Sequence, residues 1–337
     1  MNRKLFSVVL LGALMFLAGV SSNAVAQTKE SANANRGGGG VLIDNGVSGD
    51  GAWAVEVFAG GDTDFGELDP VGFAPENLIF EFLTYVDDGA DGSFQPLVDT
   101  TITSPPTQTG PGEVTSSGSF TGPNGAINWT AVATIPQGEA IYEVTLTFSS
   151  SSSFGEVRVI NYFDQDVLSS PSDDALILIG TPGQEDFQML TLDSTNDVGI
   201  GHFADYAPGA AATYLGFAAD VWNDLRTAIE AGSASFAING VIDTNSLPPI
   251  TDPRFPDDDA YGPRDITAAY GFDLDPTSSE ATLSFALGGS ISGDPVGPGP
   301  DPEPVVSVSV PTMSTIGFSV LALSLLIVGV CGVRRMA

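Results

Sequence analysis

The chain has 337 residues, with 42 acidic against 10 basic side chains, a formal net charge of −32 and a single cysteine. Between residues 27 and 309 only Lys29, Arg36, Arg158, Arg226, Arg254 and Arg264 are basic, while all 42 acids fall there. That sign repels phosphate backbones and excludes nucleic-acid binding, and it favours solubility and the attraction of cations. Because Cys331 has no second cysteine to pair with, an intramolecular disulfide is excluded too, and the fold must rest on its core.

The N-terminus, "MNRKLFSVVLLGALMFLAGVSSNAVAQ", has the layout of a secretory signal over residues 1–26. Arg3 and Lys4 form the positive start, an apolar run follows, and Ala24 and Ala26 give a small-residue site for signal peptidase. Residues 27–40, rich in small polar residues and glycine, read as a flexible lead-in.

From 41 to 289 the pattern is one of strands. "WAVEV" puts Trp53, Val55 and Val57 on one face, and "INWTAVATI" does so with Ile127, Trp129, Ala131, Ala133 and Ile135. "YEVTLTF", "ITAAYGFDL" and "ATLSFAL" alternate in the same way. Further strand segments are 78–86, 157–163, 175–180, 187–192 and 233–239. Period-two alternation means one face on a core and one in water. So many short strands predict an all-β fold, a large antiparallel two-sheet β-sandwich, with a closed barrel as the alternative. One segment differs. In "GFAADVWNDLRTAIEAG", Phe217, Val221, Leu225 and Ile229 recur every four residues ahead of Gly232, predicting a short amphipathic helix packed over a sheet edge or end.

Candidate chemistry is sparse. The lone histidine, His202, has Asp205 nearby, but no G-x-S-x-G elbow or exported cysteine supplies a nucleophile. It reads as a structural or exposed histidine, no catalytic residue is assigned, and an enzyme is not expected. Zinc lacks its nitrogen and sulfur ligands. Calcium, which takes oxygen ligands, is the one cofactor left to consider. Its candidates are Asp87, Asp88 and Asp91 in "YVDDGADGSF", and Asp164 and Asp166 in "NYFDQDV" with Asp173 and Asp174 just beyond. Asp257, Asp258, Asp259 and Asp265 crowd around Arg264 in a third cluster. Loop aspartates commonly cap turns through neighbouring backbone, which is the plainer reading of each cluster. Paired carboxylates for glycoside hydrolysis cannot be singled out among so many acids.

Residues 290–309 are proline-rich and acidic and read as an extended linker. The tail 310–337 then carries an uncharged apolar run, 316–333, long enough to span a bilayer as a helix. Arg334 and Arg335 follow it and predict a cytoplasmic C-terminus. The stretch "VPTMSTIG" before the run resembles the IPTL-type C-terminal sorting signals of Gram-negative bacteria, through Val310, Pro311, Thr312, Met313, Ser314 and Gly317. Thr315 and Ile316 stand where that family favours an acid and a tryptophan. The resemblance implies recognition by an exosortase, a membrane-embedded protease, with delivery to the cell surface or matrix; a retained single-pass anchor is the alternative. The expectation is an exported protein of structural or adhesive role, with surface polysaccharide or other envelope proteins as partners. The second reading is a carbohydrate-binding or carbohydrate-processing β-sandwich.

Overall fold

The computed structural model describes residues 39–69, 75–87, 93–167, 171–184, 187–193, 198–204 and 211–290. The signal segment 1–26, the lead-in up to residue 38, the linker past Ser290 and the tail 310–337 with its apolar span and sorting motif lie outside the described residues. No helix among the described residues is long and apolar enough to cross a membrane.

In chain order the strands begin with β1 (Val41–Asp44), β2 (Trp53–Val57), β3 (Gly66–Leu68), β4 (Glu76–Asn77), β5 (Glu81–Asp87) and β6 (Phe94–Pro96). Next come β7 (Thr101–Gly110), β8 (Glu113–Gly122), β9 (Gly125–Thr134), β10 (Ile141–Ser150) and β11 (Arg158–Asp164). They continue as β12 (Asp174–Ile179), β13 (Gln188–Asp193), β14 (Gly199–Ala204) and β15 (Ala212–Val221), followed by helix α1 (Asp224–Glu230). The last are β16 (Val241–Ile242), β17 (Pro249–Ile250), β18 (Asp259–Arg264), β19 (Ile266–Leu274) and β20 (Glu280–Ser290).

These strands form a ten-stranded sheet, β17-β18-β12-β13-β14-β20-β10-β9-β8-β7, and a six-stranded sheet, β16-β15-β19-β11-β5-β6. The described pairs are antiparallel except β15 with β16. The two large sheets pack face to face in a sandwich-like layering. Phe82 of β5 meets Tyr142 of β10 at 5.9 Å between ring centroids, and Phe272 of β19 meets Phe285 of β20 at 5.6 Å. A four-stranded sheet, β1-β2-β3-β4, is tied to the start of β5, where Thr63 and Phe82 exchange both backbone hydrogen bonds. Its Trp53, Val55 and Leu68 enter the same core.

The alternating segments fall as their period predicts. Ile127, Trp129, Ala131 and Ala133 of β9 are buried, as are Val144, Leu146 and Phe148 of β10, with Thr147 outside. β19 goes further, because both of its faces are covered. Tyr270 and Phe272 enter the inter-sheet core, whereas Ala269 belongs to a second cluster with Leu83, Tyr85, Ile160, Tyr162, Leu225 and Ile229. The last two come from α1.

Three expectations need correction. Phe217 and Val221 are not helical but lie in β15; the helix is only Asp224–Glu230. A spacing of four is also two strand periods, so such residues share a face in either structure. Asn223, at φ 72, separates the two elements. Gly232, at φ 66, ends the helix: its N–H donates to Ile229 O and the Ser233 N–H to Ala228 O, a Schellman pattern. Seven residues are too few for a helix to persist alone. Burial of Leu225 and Ile229, about 1.5–3 kcal/mol each, holds it against the sheet. It therefore covers a sheet face rather than an edge or end. Residues 233–239 form no strand either, only an isolated bridge between Ala237 and Phe217.

β7 and β8 escaped the alternation pattern because they are polar and small. β7 is the outer edge of the ten-stranded sheet, the place where Pro105 and Pro106 cost no ladder bond. In β8, Gly118 leaves room for the indole of Trp129, which would lie 2.4 Å from an added Cβ.

Candidate metal centre

In β11, Val159 and Phe163 point into the inter-sheet core, while Ile160 and Tyr162 point toward α1. Period two then puts Asp164 on the α1 side. The strand register extends this into a row across four strands: Asp220 opposite Thr267, Thr267 opposite Asp164, and Asp164 opposite Glu81. Like charges directly opposite one another destabilise a sheet. α1 contributes the cation, Arg226. Its Nη1 donates to Glu81 Oε2 at 2.6 Å and its Nε to Glu230 Oε1 at 2.9 Å.

Asp164 gets neither bond. It is fully buried, and no hydrogen-bond donor reaches its Oδ1 or Oδ2. Burial, then the charges of Asp265, Asp166 and Glu81, push its carboxyl well above the ordinary carboxylate range. One carboxylate oxygen each from Asp164, Asp166 and Asp265 lie within 4.8 Å of one another. Asp166 and Asp265 are half-buried, so the group is open on one side. Two sequence clusters that looked separate thus supply one site. "NYFDQDV" gives Asp164 and Asp166, and "YGPRD" gives Asp265.

A second triad stands where the chain passes into the ten-stranded sheet. Asp173, Asp174 and Asp193 also bring carboxylate oxygens within 4.8 Å of one another. Asp174 and Asp193 face each other directly across β12 and β13. Asp174 Oδ2 accepts the Val167 N–H at 3.2 Å, whereas no donor reaches Asp174 Oδ1. Burial pushes the Asp174 carboxyl up to about 9, against the Val167 bond that lowers it; Asp193, Asp173 and Asp166 add to the rise. Asp166 therefore acts on both triads, raising Asp164 as well as Asp174.

The remaining acidic candidates go elsewhere. Asp87 ends β5 six residues from Glu81, about 20 Å away along an extended strand, so it cannot join the Asp164 row. Asp88 and Asp91 lie outside the described residues, as does Asp205. Asp257 and Asp259 are exposed and belong to neither triad. Asp193 was missed by sequence reading. Its signal was its position just past the strand segment 187–192.

His202 is fully buried, between the rings of Phe82, Phe163 and Tyr270. Its Nε2 lies 2.7 Å from Asn161 Oδ1, and Asn161 Nδ2 donates to Thr84 Oγ1 at 3.2 Å. With the amide oxygen facing the ring, Nε2 carries the proton. The Thr84 N–H in turn donates to Asp62 Oδ1 at 2.9 Å. Burial lowers the imidazole to about 3, so it is neutral at physiological pH. This chain of polar groups fixes side chains between the sheets, and it does not touch the acidic triads.

A separate open depression of about 330 Å³ on the four-stranded sheet is lined by residues including Asp44, Trp53, Glu67 and Asp69.

No family model matches the chain, and no curated protein matches it. Among solved structures, similarity extends to a bacterial glucoamylase complexed with acarbose, at 10% identity over 74% of this chain and 32% of that one, TM-score 0.47. A 4-alpha-glucanotransferase from Thermococcus litoralis shows 8% identity over 74% and 39%, TM-score 0.36. A Pichia pastoris lysyl oxidase shows 10% over 66% and 51%, TM-score 0.31. The chain spans from a third to a half of those proteins' lengths, and neither an activity nor a substrate follows from likenesses this distant.

Proposed function

We propose that the chain is an exported protein of the cell surface or extracellular matrix, structural or adhesive in role, sorted through its C-terminal tail by an exosortase-like protease. The tail carries this reading: the Val310–Pro311–Thr312 motif, the apolar span 316–333 and the basic pair Arg334–Arg335 stand in the order such signals use. The acidic composition fits an exterior where salt screens surface repulsion over about 8 Å. A core that includes the fully buried Trp53, Trp129, Phe148 and Tyr270 supplies stability without a disulfide.

The carbohydrate-binding alternative calls for a strip of exposed aromatic rings on one sheet face. Among the described residues one aromatic ring is exposed, that of Trp222. A lone ring makes no such strip, which favours the structural role.

Mass spectrometry of the mature protein's C-terminus tests the sorting reading. A terminus near Val310–Gly317, with the apolar span removed, is the expected result. An intact Arg334–Arg335 end on surface-exposed protein overturns processing, and protein retained inside the cell with residues 1–26 attached overturns export.

A further inference from the structure

We propose that Asp164, Asp166 and Asp265 form a calcium site at the end of β11. The argument starts from Asp164. Its side chain is sealed from solvent, and neither of its oxygens receives a hydrogen bond. A charged carboxylate in that position is strongly disfavoured unless something positive meets it. Arg226, the cation whose charge acts on Asp164, has its hydrogen bonds directed to Glu81 and Glu230. What does meet Asp164 is two further carboxylates, with ligand oxygens of all three inside a 4.8 Å span.

The ligand set favours calcium among the hard cations. Calcium takes about six to eight oxygens in a flexible geometry and accepts carboxylates in either mono- or bidentate fashion, whereas magnesium demands a near-ideal octahedron and keeps several of its waters. Three carboxylates converging from two separate segments, with their oxygens within 4.8 Å of one another, suit the looser calcium sphere. Three carboxylates give calcium up to six oxygens, with the half-buried Asp166 and Asp265 leaving a side open for water and for entry. This site is independent of the sorting reading, since it needs only the folded domain.

The Trp222 backbone N–H donates to the Asp265 carbonyl oxygen at 2.9 Å. The Trp222 ring stands edge-on to Phe80 at 6.4 Å, and the Phe80 backbone N–H donates to the Asp164 carbonyl oxygen at 3.0 Å; an indole therefore belongs to the same end of β11 as the proposed ion. The full chain, purified in detergent and stripped with chelator, is titrated with terbium while indole emission is excited, then with calcium by calorimetry up to the millimolar range where extracellular calcium modules bind. Sensitised terbium luminescence that excess calcium displaces is expected. Asp166→Asn and Asp265→Asn, at half-buried positions that spare the core, should each weaken calcium binding tenfold or more. Asp258→Asn should leave it unchanged, and circular dichroism checks that each variant folds. Absence of calorimetric binding overturns the proposal, because Asp164 is then neutralised by a proton instead. Binding that survives both Asp166→Asn and Asp265→Asn overturns it equally, by placing the ion at the second triad or elsewhere.

Discussion

Glu81 and Asp164 face each other across β5 and β11, and Arg226 bonds the first and not the second. The pair that forms is deeply set on the acid side: the Glu81 side chain is 7% exposed, against 32% for Arg226. Exposed ion pairs are worth at most about 1 kcal/mol, and breaking buried ones costs about 3–5. Arg226→Gln should therefore destabilise the protein by about 2 kcal/mol, read as a shift in urea midpoint at constant slope. Adding Glu81→Gln should recover most of that loss, since the cost lies in the stranded acid.

His202 sets an acid limit on stability. Its folded pKa of about 3 lies below the ordinary 6.5, so the unfolded chain binds a proton that the native chain refuses. Between those values stability falls as pH falls, by up to about 1.4 kcal/mol per pH unit. Chelated protein followed by thermal melts should show this slope, and His202→Gln should flatten it.

Asp174 works in the opposite direction. Its folded pKa of about 9 lies above the ordinary 3.8, so the native state holds the extra proton and loses stability as pH rises between them. In chelator, Asp174→Asn should gain melting temperature over the parent, with the gain widening from pH 5 to pH 8. A constant difference across that range would show that the carboxyl is already ionised in the fold.

Gly118 is held to glycine by its neighbour. An added Cβ would lie 2.4 Å from the ring of Trp129 and 2.7 Å from Thr101 O. The indole is buried and anchored by its Nε1 bond to Thr100 Oγ1 at 2.9 Å, so it cannot swing aside freely. Gly118→Ala should cost about 1–3 kcal/mol, the usual penalty of overpacking, with a blue- or red-shifted Trp129 emission as a local reporter.

What sequence reading captured, and what it missed, follows from the range of each interaction. The segments 175–180 and 187–192, laid antiparallel as a hairpin, already put residue 174 opposite 193, which is the register found. The second triad was therefore within reach of local pattern alone. The first was not, because Asp164 and Asp265 are brought together by β11 and β19, strands far apart along the chain whose pairing no local signal announces. The helix was placed too early because Phe217 and Val221 satisfy a four-residue spacing within a strand. β8 was invisible because its inward positions include the small Ser116 and Gly118, the latter opposite Trp129 of β9, so much of the apolar bulk that marks a strand sits on the partner.

β7 shapes how copies of this domain can meet. A β-sheet rim offers a neighbour's backbone a row of donors and acceptors, and fibres lengthen by that route. Pro105 and Pro106 bring no N–H groups to this edge strand, and the pairing with β8 is already irregular there, shifting between Ser104 and Thr107. Strand-by-strand polymerisation along that border is blunted. Copies of the domain that met along this border would be held by side-chain contacts, and could part again without unravelling a shared sheet.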